Sequence, residues 1–173
     1  MHRLANDAQP PAYGVRPAAK KIPVSVLVVV YCVELEVLLL ERADRPGYWQ
    51  SVTGSKDDMS EDLVSTAARE LREETGIEVG GNVLPRTALI DWDQRNVYEI
   101  YPAWRDRYAA GITHNVEHVF GVCVPRNSAV KVAPGEHLQY RWLTWRAAAD
   151  ACFSHTNANA IRQLPLRAGT GRA

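Results

Sequence analysis

Gly54-Ser55-Lys56-Asp57-Asp58-Met59-Ser60-Glu61 and, after seven further residues, Arg69-Glu70-Leu71-Arg72-Glu73-Glu74-Thr75-Gly76-Ile77 form the stretch on which the fold turns. Between Leu63 and Thr75 the residues Val64, Ala67, Ala68 and Leu71 recur at helical spacing, which predicts an amphipathic helix, and Gly76 is placed to cap it. At 100° per residue, Glu70, Glu73 and Glu74 fall within about a 100° arc beside the apolar stripe. Three carboxylates therefore share the edge of a core-facing surface. Like charges at these spacings each cost roughly 0.2–0.5 kcal/mol in water, and more beside apolar surface. A cation is expected to balance them. Arg69 can reach Glu73 across one turn, yet this leaves other oxygens free, the arrangement preferred by a hard divalent ion such as Mg²⁺. Taken alone, the hexapeptide from Arg69 to Glu74 reads better as a solvated charged face.

Outward from this helix, the order of elements sets the fold class. Val24 to Tyr31 is a β-branched run of the kind buried on both faces of a sheet, and Val37 to Leu40 is expected to be its neighbour. Pro46, Gly47 and the segment through Gly54 read as a connection. Beyond the helix, Leu84 to Asp91, Asn96 to Tyr101, Glu117 to Val124 and Leu138 to Leu143 read as strands. Thr144 to Cys152 predicts a helix with Thr144 as N-cap, and Asn157 to Leu164 a short second one. Strands interrupted by one long helix and closed by others imply a layered α/β domain, a mixed sheet with helices on both sides. The domain is expected to span residues 21–165, between flexible tails at 1–20 and 166–173.

The spacing then becomes specific. Gly54, Glu61 and the run from Arg69 to Ile77 resemble the Nudix box: Gly, five residues, Glu, seven residues, Arg-Glu, an aliphatic, any residue, Glu-Glu, any residue, Gly, an aliphatic. From Glu61 to Ile77 every specified position matches. At the front six residues rather than five separate Gly54 from Glu61, so either Ser55 takes the glycine position or residues 56–60 carry an insertion. The resemblance implies a Nudix-type α/β/α sandwich with a mixed β-sheet, and a metal-dependent hydrolase that cuts a phosphoanhydride. It further implies Mg²⁺ or Mn²⁺ held by Glu70 and Glu74, Glu73 as an additional ligand or base, Arg69 orienting them, and Glu61 supporting the helix start.

Within that family the chain resembles the dihydroneopterin triphosphate pyrophosphatases of bacterial folate biosynthesis. The similarity lies in Lys21 to Val29, Tyr48-Trp49-Gln50-Ser51-Val52-Thr53-Gly54-Ser55, Arg107-Tyr108-Ala109 to Thr113 and Asn115, and Glu136-His137-Leu138 with Trp142-Leu143. It implies release of pyrophosphate from the pterin triphosphate. It also implies Glu136 as a metal ligand from outside the box, with Lys21, Arg42, Thr53, Ser154 and Tyr98-Glu99-Ile100-Tyr101 lining the substrate site. On the residues alone, Lys21 and Arg42 are ordinary surface cations and the tyrosines ordinary cross-strand packing. Trp49, Trp92, Tyr98 and Tyr101 are candidates to stack on a flat heterocycle. Glu117 is a candidate base, whereas His114 and His118 sit at a strand start, unlike a zinc pair.

Composition narrows the partners. Twenty basic and twenty acidic residues cancel, so the chain lacks the basic footprint of a nucleic-acid binder. Val26 to Val33 is too short for a membrane span and ends at Glu34. Cys32, Cys123 and Cys152, odd in number and widely spaced, suit a reducing, cytoplasmic setting. The expected partner is a small pterin or nucleotide triphosphate, and the sequence sets no oligomeric state. Two alternatives stand beside the pterin enzyme: a general (deoxy)nucleoside triphosphate pyrophosphatase, and a non-catalytic ligand-binding module, which would be expected to lose box glutamates.

Overall fold

The computed structural model describes residues 20–170. The strands are β1 (Val24–Tyr31), β2 (Glu36–Arg42), β3 (Trp49–Gln50), β4 (Val52–Ser55), β5 (Leu89–Glu99), β6 (His114–Cys123) and β7 (His137–Thr144). The helices are α1 (Leu63–Thr75), α2 (Trp145–Ala151), α3 (His155–Arg162) and α4 (Leu164–Thr170). One seven-stranded sheet runs β3-β2-β1-β6-β5, with β4 also paired to β1 and β7 to β2. β1 and β6 are parallel and the other pairs antiparallel, which makes the sheet mixed.

The β-branched run of β1 sits at the centre because both of its faces are covered. Val26, Val28 and Val30 pack with Ala67 and Leu71 of α1, while Leu27, Val29 and Tyr31 pack with Ala148, Ala158 and Ile161 of α2 and α3. Alternate side chains of one strand thus serve two helical layers, and the α/β/α sandwich follows. Among the described residues no helix is long and apolar enough to cross a membrane.

Several boundaries differ from the sequence reading. The connection before Gly54 holds the short strands β3 and β4, which are too brief to show an alternating pattern. The two strands expected between Leu84 and Tyr101 are one, β5, which begins only at Leu89 and bends at a bulge between Asp91 and Gln94. There Asp93 adopts a φ of 51° and its N–H donates to Asp91 Oδ1 at 2.8 Å. A polar run that reads as a break is a local side-chain bond on an edge strand. Ile100 and Tyr101 lie beyond the strand. The expected tail from residue 166 continues as α4 to Thr170, since Leu164 is fully buried and Ala168, one turn on, packs against the same core. The expected N-terminal tail, apart from Lys20, lies outside the described residues, as do residues 171–173.

Candidate active site

α1 opens with Asp62, whose carboxylate accepts the Ser65 N–H at 2.9 Å, and closes at Gly76 in the left-handed region (φ 72°). These caps fix its length and bring Glu70, Glu73 and Glu74 to its last two turns. The helix packs on β4, and the contact is intimate at one point: a Cβ on Gly54 would stand 1.8 Å from the Glu70 carboxyl carbon. A side chain there would displace the Glu70 carboxylate from its bond with Arg69, which favours Gly54 as the box glycine and puts the extra residue in the loop at 56–60. That loop closes on itself through Asp58, whose Oδ1 accepts the Ser60 N–H at 2.7 Å.

Arg69 ties the cluster together. Its Nε donates to Glu61 Oε1 at 3.0 Å, its Nη1 to Glu70 Oε1 at 2.8 Å and Glu73 Oε2 at 3.2 Å, and its Nη2 to the Ser55 carbonyl at 2.9 Å. One guanidinium therefore locks the helix to the loop and to β4. Glu61 faces Arg69, and Glu73 is half exposed between Arg69 and Arg72. Burial pushes the Glu70 carboxyl up to about 7 against the pull of Arg69, helped by the charges of Glu74 and Glu73. Glu74 is almost fully buried, and this too raises its pKa. Its Oε2 accepts the Thr53 N–H at 3.3 Å.

His137, the first residue of β7, stands with Nε2 3.2 Å from Glu74 Oε2. The approach is close but off the line of a hydrogen bond, and both ring nitrogens are buried without a hydrogen-bond partner. Glu136, Glu74 and His137 each offer a ligand atom within 4.8 Å of the others. Among the described residues this is the one such group of three, and it includes neither His114 nor His118. Acidic oxygens in excess of cations, a buried carboxylate whose pKa burial raises and an imidazole without a hydrogen-bond partner together fit a divalent metal. In the sequence His137 stands beside Glu136 with no role of its own. Its signal was adjacency to Glu136 at a strand start.

A cavity of about 660 Å³ opens from this group. Glu74, Glu136 and His137 line it, and so do Tyr98, Asn115, Glu117 and Thr156. The neighbours that set the ionisation of Glu117 (Asn96, Tyr98, Thr156) and of Glu74 (His137, Thr53, Glu136) have no member in common. The cavity thus joins two distinct polar environments.

A NUDIX domain profile matches residues 21–164. The chain belongs to the Nudix family. This Nudix chain is 40% identical over 149 residues to the dihydroneopterin triphosphate diphosphatase of Escherichia coli K12, covering 86% of the chain and 95% of that relative. It is 39% identical over 140 residues to the enzyme of the same name from Haemophilus influenzae, covering 80% and 85%. The structure of the E. coli dihydroneopterin triphosphate pyrophosphohydrolase superposes with a TM-score of 0.72 at 39% identity, covering 83% of this chain and 95% of that one.

Within the Nudix frame, Lys21, Arg42, Thr53, Tyr98, Glu99, Ile100, Tyr101 and Ser154 all border the cavity, together with Glu117 and Glu136. Their states differ. Arg42 is gripped by Asp44 through Nε and Nη2 at 2.8 and 2.7 Å, and Glu99 is paired with Arg105. Ile100 is buried, and Ser154, at the N-cap position of α3, shares a hydrogen bond with the Thr156 hydroxyl at 2.8 Å. The stacking candidates divide. Tyr98 and Tyr101 reach the cavity, but Trp49 and Trp92 are core residues, Trp92 lying so close over Gly121 that a Cβ there would meet its indole at 2.5 Å. Trp104, Tyr108 and Phe153 also line the cavity, although the sequence does not name them as stacking candidates. Trp104 faces the guanidinium groups of Arg42, Arg45 and Arg107 at 5.0–5.7 Å.

Proposed function

We propose that the chain hydrolyses dihydroneopterin triphosphate, releasing pyrophosphate and leaving dihydroneopterin monophosphate. The observation that carries this is the cavity that Glu74 of the box shares with Glu136, His137 and a wall of hydrogen-bonding and aromatic groups. The names of the relatives matched over most of their length support it. A phosphate tail and a flat polar head call for these two environments.

We assign Glu70, Glu74 and Glu136 to the divalent cation, Mg²⁺ or Mn²⁺, with His137 beside them. When bound, the ion neutralises phosphate charge and orients the reacting oxygens. The chain's own groups prepare that geometry. Arg69 holds Glu70 Oε1, and the Thr53 N–H fixes Glu74. Glu61 and Glu73 brace Arg69 and act through it. Lys21 reaches the cavity with no ion pair among the described residues and can meet phosphate directly, whereas Arg42 is already engaged by Asp44.

The test is product analysis by ³¹P NMR with dihydroneopterin triphosphate beside dATP and dGTP. Pyrophosphate and the pterin monophosphate should appear, with turnover faster than on either nucleotide. Faster nucleotide turnover, or stepwise release of orthophosphate, would overturn the assignment.

A further inference from the structure

β6 carries two buried polar side chains that the phosphate chemistry does not use. Asn115 is 2% exposed and Glu117 5% exposed, and both border the cavity. Asn115 Nδ2 donates to Ser25 Oγ at 2.6 Å and to Tyr98 Oη at 3.0 Å, while its Oδ1 is buried with no hydrogen-bond partner. Glu117 Oε2 accepts from Asn96 Nδ2 at 3.2 Å, and the hydroxyls of Tyr98 and Thr156 adjoin the carboxyl. Among the described residues no cation pairs with it. A buried carboxylate offers about four lone-pair sites, and neutral donors here satisfy only part of them.

The geometry points to Glu117, with Asn115, as the reader of the substrate's head group: its carboxylate accepts the two parallel N–H donors of a 2-amino-4-oxopyrimidine edge. This rests on the pterin reading above, but the edge is wider than pterins, because guanine presents the same ring nitrogen and exocyclic amine. Adenine instead sets an acceptor nitrogen beside its amine and would face the carboxylate with a repulsive contact. The fork suits two parallel donors, as in any bidentate carboxylate pair. Tyr98, Tyr101 and Phe153 border the same space and can flank a planar ring. Burial raises the pKa of Glu117, and the hydrogen bonds of Asn96, Tyr98 and Thr156 oppose that shift and favour the carboxylate. The groups that adjoin Glu117 (Asn96, Tyr98 and Thr156) lie outside the box cluster, and the test below separates a reading role from that of a base for water.

The experiment measures binding of neopterin, and of the pteridine in which an oxo group replaces the 2-amino group, to the full chain by calorimetry. Both ligands lack phosphate, so the metal end is not engaged. The wild type should bind neopterin about tenfold tighter or better, as a bidentate pair allows. In E117Q that preference should fall to near unity, and KM for dihydroneopterin triphosphate should rise more than kcat falls. The wild-type comparison needs no variant to fold, and equal binding of the two pteridines overturns the proposal by itself. A drop in single-turnover kcat in E117Q with KM intact would also overturn it, in favour of a chemical role. If dGTP is hydrolysed and the pterin triphosphate is not, yet neopterin still binds tighter than its oxo counterpart, the substrate reading fails and the edge reader stands. If the pterin triphosphate is hydrolysed while both pteridines bind alike, the edge reader alone fails.

Discussion

Arg69 gathers Glu61, Glu70, Glu73 and the Ser55 carbonyl within one loop and one helix, whereas Glu117 stands among Asn96, Tyr98 and Thr156, drawn from β5 and α3. The first region is dense in charge and built from contiguous sequence. The second is nearly neutral and assembled across the fold. The contrast separates two tasks: holding a cation and a phosphate chain needs charge at fixed helical spacing, while discriminating a heterocycle needs a few aimed acceptors in a buried wall.

The largest effect expected at the charged end is that of E74Q. Loss of a buried ligand from a metal that supplies several kcal/mol should lower kcat by about three orders of magnitude on pterin and nucleotide triphosphates alike. E61Q should cost about tenfold or less, because Glu61 acts only through Arg69. Steady-state kinetics in saturating Mg²⁺ compare them, and equal losses would erase the distinction between ligand and brace.

The next effect sharpens the boundary between box and remote loop. E136A should raise the Mg²⁺ needed for half-maximal activity by about 10–100-fold, with metal-free thermal stability nearly unchanged, since Glu136 is exposed. An unchanged Mg²⁺ titration would make Glu136 a surface residue.

The smallest effect is electrostatic and needs no substrate. The Glu70 carboxyl sits at about 7, above its ordinary value of 4.5, so between these values the folded state binds more protons than the unfolded one. Stability without metal should therefore fall as pH rises from about 4.5 to about 7, then level off. E70Q removes that slope. Denaturant unfolding in chelator should show E70Q gaining on the wild type by on the order of 2 kcal/mol between pH 4 and 8. Parallel curves would mean that Glu70 is not held protonated by burial.

The two regions also differ in how far the sequence discloses them. α1, Gly76 as its cap, the double-faced β1 and the box carboxylates were legible because helical spacing and β-branching are local patterns. The role of Gly54 was ambiguous by one residue, and only its contact with the Glu70 carboxylate separates it from Ser55. Trp49 and Trp92 read as stacking candidates because an aromatic residue looks the same in sequence whether it faces a core or a cavity. His137, Asn115 and Trp104 escaped assignment because their neighbours lie on other strands and loops, and no periodicity marks a partner far along the chain.

The most direct test of the two-ended site is a double-variant cycle in kcat/KM on dihydroneopterin triphosphate, comparing the wild type, E74Q, E117Q and the double variant. Sites with no shared partners should be independent, so the two losses should multiply, with a coupling within about 0.5 kcal/mol. A double variant no worse than E74Q alone would show that Glu117 and Glu74 serve one chemical step, and would contradict the division of the cavity into a metal end and a reading end.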